Sequence, residues 1–294
     1  MMKAVFARCL FPALATLAVL FLTGHGAPAL ASPVEQHKEA AMPDRVQAAA
    51  QYTQSVFAGA PCALADTDPD FIAIRDRLMY GEIAARGVLD VRQRHLVILV
   101  VLTTCQTLEP LDLQTKAALR DGVTPVEIKE ALYQCAPYIG FPKTESALRR
   151  INDVFAAQGI ALPVESQATV TEDNRFDRGL AVQKSIFGET IDKMHAATPE
   201  SQKDILVNWL SAFCFGDIYT RTGLDLKTRE LLTFAVVSAL GGCEAQVKAH
   251  VQGNANVGNT KQELIDTLAQ MLPYIGFPRT LNALGCVNAV MQDS

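Results

Sequence analysis

The sequence predicts an all-α protein built from two copies of one helical unit. Three observations carry that expectation. The twelve-residue string from Pro137 to Leu148 recurs from Pro273 to Leu284 with nine of twelve positions identical. Apolar runs of helical length follow a capping aspartate at Asp90 and again at Asp225. No strand-like alternation of apolar and polar residues occurs along the chain.

The first 31 residues stand apart from the repeated unit. Lys3 and Arg8 open the chain, an apolar run spans Leu10 to Leu22, and Ala29-Leu30-Ala31 ends the stretch. That order predicts a secretory signal cleaved between Ala31 and Ser32, hence a periplasmic or secreted protein with no membrane attachment after cleavage. The run is shorter than the roughly 20 apolar residues a membrane-spanning helix needs. Loss of the leader leaves 24 basic against 31 acidic residues, a formal charge of −7. Such a balance excludes nucleic acid and anionic membrane surfaces as expected partners and leaves a small-molecule substrate open. Residues 32–68 are expected to form a loosely attached N-terminal arm. Copy one is placed at 69–157, a linker at 158–173 around Pro163, and copy two at 174–294.

Within each copy the punctuation is helical. Tyr80-Gly81-Glu82-Ile83 answers Phe215-Gly216-Asp217-Ile218, and the segment Leu89 to Arg94 answers Leu224 to Arg229. The offset is 135 residues here and 136 later, so one residue was gained near Gly241-Gly242. The runs Val91–Thr104 and Leu226–Leu240 are too long without a turn signal to be strands. Thr124-Pro125-Val126-Glu127 and Thr260-Lys261-Gln262-Glu263 read as capping boxes. Gly140 and Gly276 suit the left-handed residue that closes a helix, and Pro142 and Pro278 can begin the next. Glu82 and Asp217 read as helix caps or polar contacts, Tyr138 and Tyr274 as anchors of the helix junction.

Candidate chemistry concentrates in copy two. Gly242 ends a helix and puts Cys243 at the start of the next, where free N–H groups and the helix dipole favour a thiolate. His250 shares that helical face, but a rise of ~10 Å separates the two, too far for a direct hydrogen bond. They could instead flank a pocket or communicate through Glu230. Copy one has Thr107, Pro110 and Gln114 where copy two has Cys243, Gln246 and His250, and His95 where copy two has Glu230. Six cysteines follow the leader, Cys62, Cys105, Cys135, Cys214, Cys243 and Cys286. Their scatter permits disulfides or free thiols, and no zinc-ligand spacing appears.

The string Phe215-Gly216-Asp217-Ile218, Leu224 to Leu232, His250 and Tyr274-Ile275-Gly276-Phe277-Pro278 resembles the carboxymuconolactone decarboxylase family, which also includes thiol peroxidases of the alkylhydroperoxidase D type. The resemblance covers roughly residues 70–155 and 205–292. It implies a tandem duplicated helical bundle of the alkylhydroperoxidase D-like type, with sites between helices and assembly into a homo-oligomer. In the peroxidase branch a glutamate precedes a Cys-x-x-Cys-x-x-x-His run. Cys243 matches the first cysteine and His250 the histidine, while Glu230 falls within one residue of the glutamate. Gln246 occupies the second cysteine position, which removes the resolving thiol.

Three functions follow. The first is a cofactor-free, metal-free lyase or isomerase acting on a small carboxylated lactone or related acid. His250 would move a proton, Glu230 would orient it, and Arg229 and Tyr274 would bind substrate, Arg229 through its planar fork. The second is hydroperoxide reduction by Cys243, a peroxiredoxin-like activity. The third is a helical binding or scaffold protein that has lost its chemistry.

Overall fold

The computed structural model describes residues 44–59, 62–84 and 86–292, and these are helical with no strand among them. The expected leader at 1–31 and its cleavage point lie outside the described residues, as does the start of the expected arm. The segment Met42–Ser294 forms one compact unit. No helix among the described residues is long and apolar enough to cross a membrane.

The capping expectations hold at each predicted boundary. The Asp90 side chain accepts from the Gln93 amide and opens α3 (Val91–Cys105). Asp225 accepts from the Thr228 amide and opens α9 (Leu226–Leu240). Thr124 with Glu127 and Thr260 with Glu263 close reciprocal capping boxes on α5 (Pro125–Ile139) and α11 (Lys261–Val290). These α3 and α9 runs pack against each other at the centre of the core, and each is buried around most of its circumference. That is why their sequences are apolar on every side instead of along one stripe.

Gly140 separates α5 from α6 (Phe141–Ala157) at φ 83° and ψ 160°. Gly276 breaks α11 at φ 72° and ψ 169°. Both take the positive φ the sequence predicts. The accompanying ψ lies in the mirror-extended region that only glycine occupies freely, not in the left-handed helical well.

The described part of the expected arm at 32–68 contains a packed helix. Its residues Arg45–Phe57 form α1, which packs against a π-helical stretch, Arg77–Ile83, that continues α2 (Pro69–Asp76). Copy two repeats this with α7 (Arg175–Phe187) against the π-helical stretch Asp204–Tyr219. Gly81 and Gly216 stand at the crossings, where a Cβ would collide with the backbone carbonyls of Arg45 and Arg175. Arg45 donates to Glu82 at 2.6 Å, and Arg175 forks onto Asp217. Helices α1 and α7 therefore occupy corresponding places in the two halves. The matching arginines are 130 residues apart instead of 135, which hid the correspondence from a fixed-offset comparison.

The remaining helices are α4 (Leu111–Arg120), α8 (Thr190–Ala197) and α10 (Glu244–Asn256). The copies exchange helices across the core. Copy one's α5 packs on α9 and on the π-helical stretch of copy two, and copy two's α11 packs on α3 and on the π-helical stretch of copy one.

Candidate active site

Glu130, Gln134 and Tyr138 recur every fourth residue along α5, so they share one helical face. That face turns towards copy two. Arg229 on α9 is 0% exposed and would carry a charge without solvent if it lacked partners. Its Nη2 donates to Glu130 Oε2 at 2.9 Å and to the Arg221 carbonyl at 3.0 Å. Nη1 donates to Gln134 Oε1 at 2.9 Å, and Nε to the Leu224 carbonyl at 3.2 Å. Arg221 also forks onto Glu130.

From Gln134 the network runs to Glu230 and His250. Its Nε2 donates to Thr233 Oγ1 at 3.0 Å, which lies 2.8 Å from the Tyr219 hydroxyl. Tyr219 donates to Glu230 Oε1 at 2.7 Å, and Tyr138 reaches the Tyr219 hydroxyl at 3.2 Å. The other carboxylate oxygen, Glu230 Oε2, pairs with His250 Nδ1 at 2.9 Å. An ionised carboxylate only accepts, so His250 carries its proton on Nδ1 when neutral. No hydrogen bond to a described residue engages Nε2. The rings of Tyr138 and Phe187 meet the imidazole edge-on, each at 5.7 Å between centroids.

Both guanidiniums, Arg221 and Arg229, pair with Glu130, and Glu230 pairs with His250 instead. Glu230 is 0% exposed and His250 8%. Gly253 on α10 makes room for the carboxylate, since a Cβ there would strike Glu230 Oε2. Asn254 fixes the backbone behind it by donating to the Glu230 carbonyl at 2.9 Å. Burial pushes the phenols of Tyr138 and Tyr219 well above their ordinary value and holds them as neutral donors.

The structure brings Glu230 and His250 together as the sequence allowed. It assigns the other candidates differently. Arg229, expected to bind a substrate carboxylate, has four of its five N–H groups engaged by protein acceptors and no surface. Tyr274, expected beside it, lies in copy one's half with Tyr52 and Tyr80, and Tyr138 takes the corresponding place by His250. Cys243 is the N-cap of α10, and its Sγ donates to the Val237 carbonyl at 3.1 Å. Burial, the Glu244 carboxylate and Cys286 push its thiol up, opposite to the expected stabilised thiolate. Cys286 is the thiol nearby that no sequence argument located; its Sγ lies 3.8 Å from the Glu244 carbonyl. The six cysteines named above are free thiols, with Cys135 and Cys214 fully enclosed and Cys214 pushed up to about 12 by burial. Among the described residues no group of three or more His, Cys, Asp or Glu side chains is arranged to hold a metal ion.

Glu130, Gln134, Tyr138, Tyr219 and Thr233 were not marked as site residues by the sequence. A usable signal was the four-residue spacing of Glu130, Gln134 and Tyr138, which copy two repeats as Asp266, Gln270 and Tyr274. In copy one His95 pairs with Asp121 at 2.8 Å and not with Gln114, so the placement of the His250–Glu230 pair is not repeated there.

The model of the Carboxymuconolactone decarboxylase family matches twice, over residues 69–153 and 206–289, together more than half of the chain. The chain belongs to the carboxymuconolactone decarboxylase family. A 4-carboxymuconolactone decarboxylase from Acinetobacter baylyi is 29% identical over 124 residues, 42% of this chain and 92% of that protein. A nitrosuccinic acid decarboxylase from Metarhizium robertsii is 28% identical over 138 residues, 44% of this chain and 92% of that protein. Less than half of this chain thus matches nearly the whole of each, as a duplicated family unit requires. A solved gamma-carboxymuconolactone decarboxylase-type subunit from Burkholderia xenovorans superposes with a TM-score of 0.50 at 17% identity. It covers 82% of this chain and 95% of that one, a likeness of fold.

Two outcomes follow from this geometry. Arg229→Ala strands Glu130 and Gln134 and lowers stability by at least about 3 kcal/mol in urea denaturation, whereas a residue serving only substrate would leave stability unchanged. In site-resolved alkylation followed by mass spectrometry, Cys62 labels faster than Cys243 at neutral pH. Its thiol is held down by the hydrogen bond from the Leu64 backbone and, more weakly, by Arg75.

Proposed function

We propose that this protein is a cofactor-free lyase or isomerase acting on a small carboxylated lactone or related acid, with the proton moved at His250 Nε2. The observation that carries this is the His250–Glu230 bond, which occupies Nδ1 and leaves Nε2 open. The names of two relatives, both decarboxylases, support the same class.

In the decarboxylation the bond between a ring carbon and its carboxylate breaks, and carbon dioxide leaves. The electron pair passes into an unsaturated system conjugated with the lactone carbonyl. The imidazolium form of His250 then delivers the Nε2 proton to carbon, and Glu230 steadies the cation through Nδ1. An isomerisation uses the same atoms, with neutral Nε2 removing a proton from one carbon and returning it to another. Tyr219 holds Glu230 from the other side, and Tyr138 holds Tyr219, which fixes the imidazole plane. The substrate carboxylate is not assigned to Arg229, whose donors are taken.

The thiol peroxidase alternative has less support. The raised Cys243 thiol and its bond to Val237 favour a structural role, and no contact joins Cys243 to His250. The expected leader carries into the proposal as export to the periplasm or beyond.

Homo-oligomer formation is part of the proposal and is supported by two matching apolar faces. Ile205, Trp209 and Phe213 share one side of a π-helical stretch, and Phe213 meets Phe141 at 5.2 Å between rings. Across the duplication Phe71 answers Leu206, Ile74 answers Trp209 and Phe277 answers Phe141. Trp209 is 61% exposed and Ile74 66%, which calls for a covering surface.

With a panel of carboxylated lactones, His250→Ala lowers kcat about 10²- to 10⁴-fold, and Cys243→Ser retains turnover. Loss with Cys243→Ser and retention with His250→Ala would move the chemistry to the thiol. In light scattering the wild type elutes as an oligomer and Trp209→Glu as a smaller species; a monomeric wild type rules the assembly out.

A further inference from the structure

The duplication supplies an internal comparison for positions within the fold. At two places on α5 the copies differ in kind: copy one has Lys129 and Tyr133 where copy two has Ile265 and Ala269. The corresponding helix of copy two packs with neither a charge nor a phenol there, so packing does not demand them. Lys129 and Tyr133 stand one turn apart on α5, each directly preceding a residue of the Glu130–Gln134 row.

A lysine is rarely buried unless a carboxylate pairs with it. Lys129 is 6% exposed, and no carboxylate among the described residues holds it. Its ammonium donates to Asn152 Oδ1 and lies 5.7 Å from the centroid of the Phe155 ring. An ammonium carries three N–H donors, so this one keeps donors to spare. Burial alone pushes it below the ordinary lysine value, a cost that a nearby anion would reverse. Beside it Glu130 answers both Arg221 and Arg229, and the Arg221 guanidinium sits over the Tyr133 ring at 5.3 Å. Positive charge is therefore in excess on this side of α5.

The lysine lines a cleft of about 380 Å³. Tyr133 shares the α5 wall, Asn152 comes from α6, and Leu162, Pro163 and Val164 come from the segment that follows α6. That segment is tied to copy two, since the Thr222 amide donates to the Gln167 carbonyl at 3.2 Å and Thr169 Oγ1 to the Thr220 carbonyl at 2.8 Å. The cleft is thus preformed, and its volume suits a small organic ligand. One end is cationic and the other apolar.

We propose that copy one binds a small monocarboxylate with an apolar body in this cleft, its carboxylate meeting Lys129 Nζ and the Tyr133 hydroxyl. The body of the ligand lies against Leu162, Pro163 and Val164. One ammonium and one phenol match a single carboxylate. A phosphate dianion calls for the forked donors of an arginine, and those of Arg221 are committed to Glu130. The site is separate from His250 and does not rest on the reaction assigned there.

The test uses the full chain carrying His250→Ala. Benzoate, 2-furoate, benzyl alcohol and inorganic phosphate are titrated separately by calorimetry. Expected is binding of at least one of the two acids, and of neither benzyl alcohol nor phosphate. Adding Lys129→Ile weakens acid binding at least about tenfold, as loss of a charged donor requires. Lys129→Ile also keeps or raises the melting temperature, because it removes a buried charge from a place where copy two carries Ile265. If Lys129→Ile does not fold, Tyr133→Phe, which keeps the ring, decides through a loss of about threefold or more. Binding of neither acid, equal binding of benzyl alcohol, tighter binding of phosphate, or acid binding unchanged by the deciding substitution overturns the site.

Discussion

A guanidinium with no access to water needs acceptors from the protein, and Arg229 sets that condition at the centre of this molecule. The ligands it needs are supplied by copy one, through Glu130 and Gln134 on α5. Satisfying the cation therefore fixes how α5 lies on α9, and with it where Tyr138 arrives. The same contact passes through Thr233 and Tyr219 to Glu230 and orients His250. A charge placed in the core thus bears on the geometry of the His250 imidazole. Because the partners are mutually hydrogen-bonded in a dry interior, weakening one bond is felt along the chain of them.

Much of the fold was legible because helix boundaries are local. Asp90, Asp225 and the two Thr–Glu capping boxes need only their own next three residues, and each appears where the sequence puts it. The duplication was legible for a similar reason, since identical strings need no structure to be aligned. What escaped was lateral. The pairing of Arg175 with Asp217 and of Arg45 with Glu82 joins helices through turns of different length, so α1 went unrecognised as the counterpart of α7. The sequence singled out Glu230 and His250 by residue type, and the two do meet. Their support from Tyr219 and from α5 was not legible, because a sequence says which face a residue shares and not which neighbour that face meets. Arg229 was misjudged on the same account: an arginine that binds a ligand and one that is fully ligated look alike until its burial is known.

The cysteine shows how one local rule can yield to another. A helix start does favour a thiolate, but Cys243 is partly enclosed and followed directly by Glu244, and both oppose negative charge. The dipole contribution is modest beside desolvation and a neighbouring carboxylate. Sequence placed the residue correctly at the head of α10 and missed the sign of its surroundings.

The exchange of tyrosines between halves has a consequence for how such a chain can change over time. Copy one has Gln114 and His95 where copy two has His250 and Glu230, so its own half is released from that pairing. Its α5 is not released, because Glu130, Gln134 and Tyr138 serve the neighbour's site. Drift in the first half is therefore permitted on one face of the unit and forbidden on another. Neither half could be discarded and leave the other intact, and a duplication that began as redundancy has become mutual dependence.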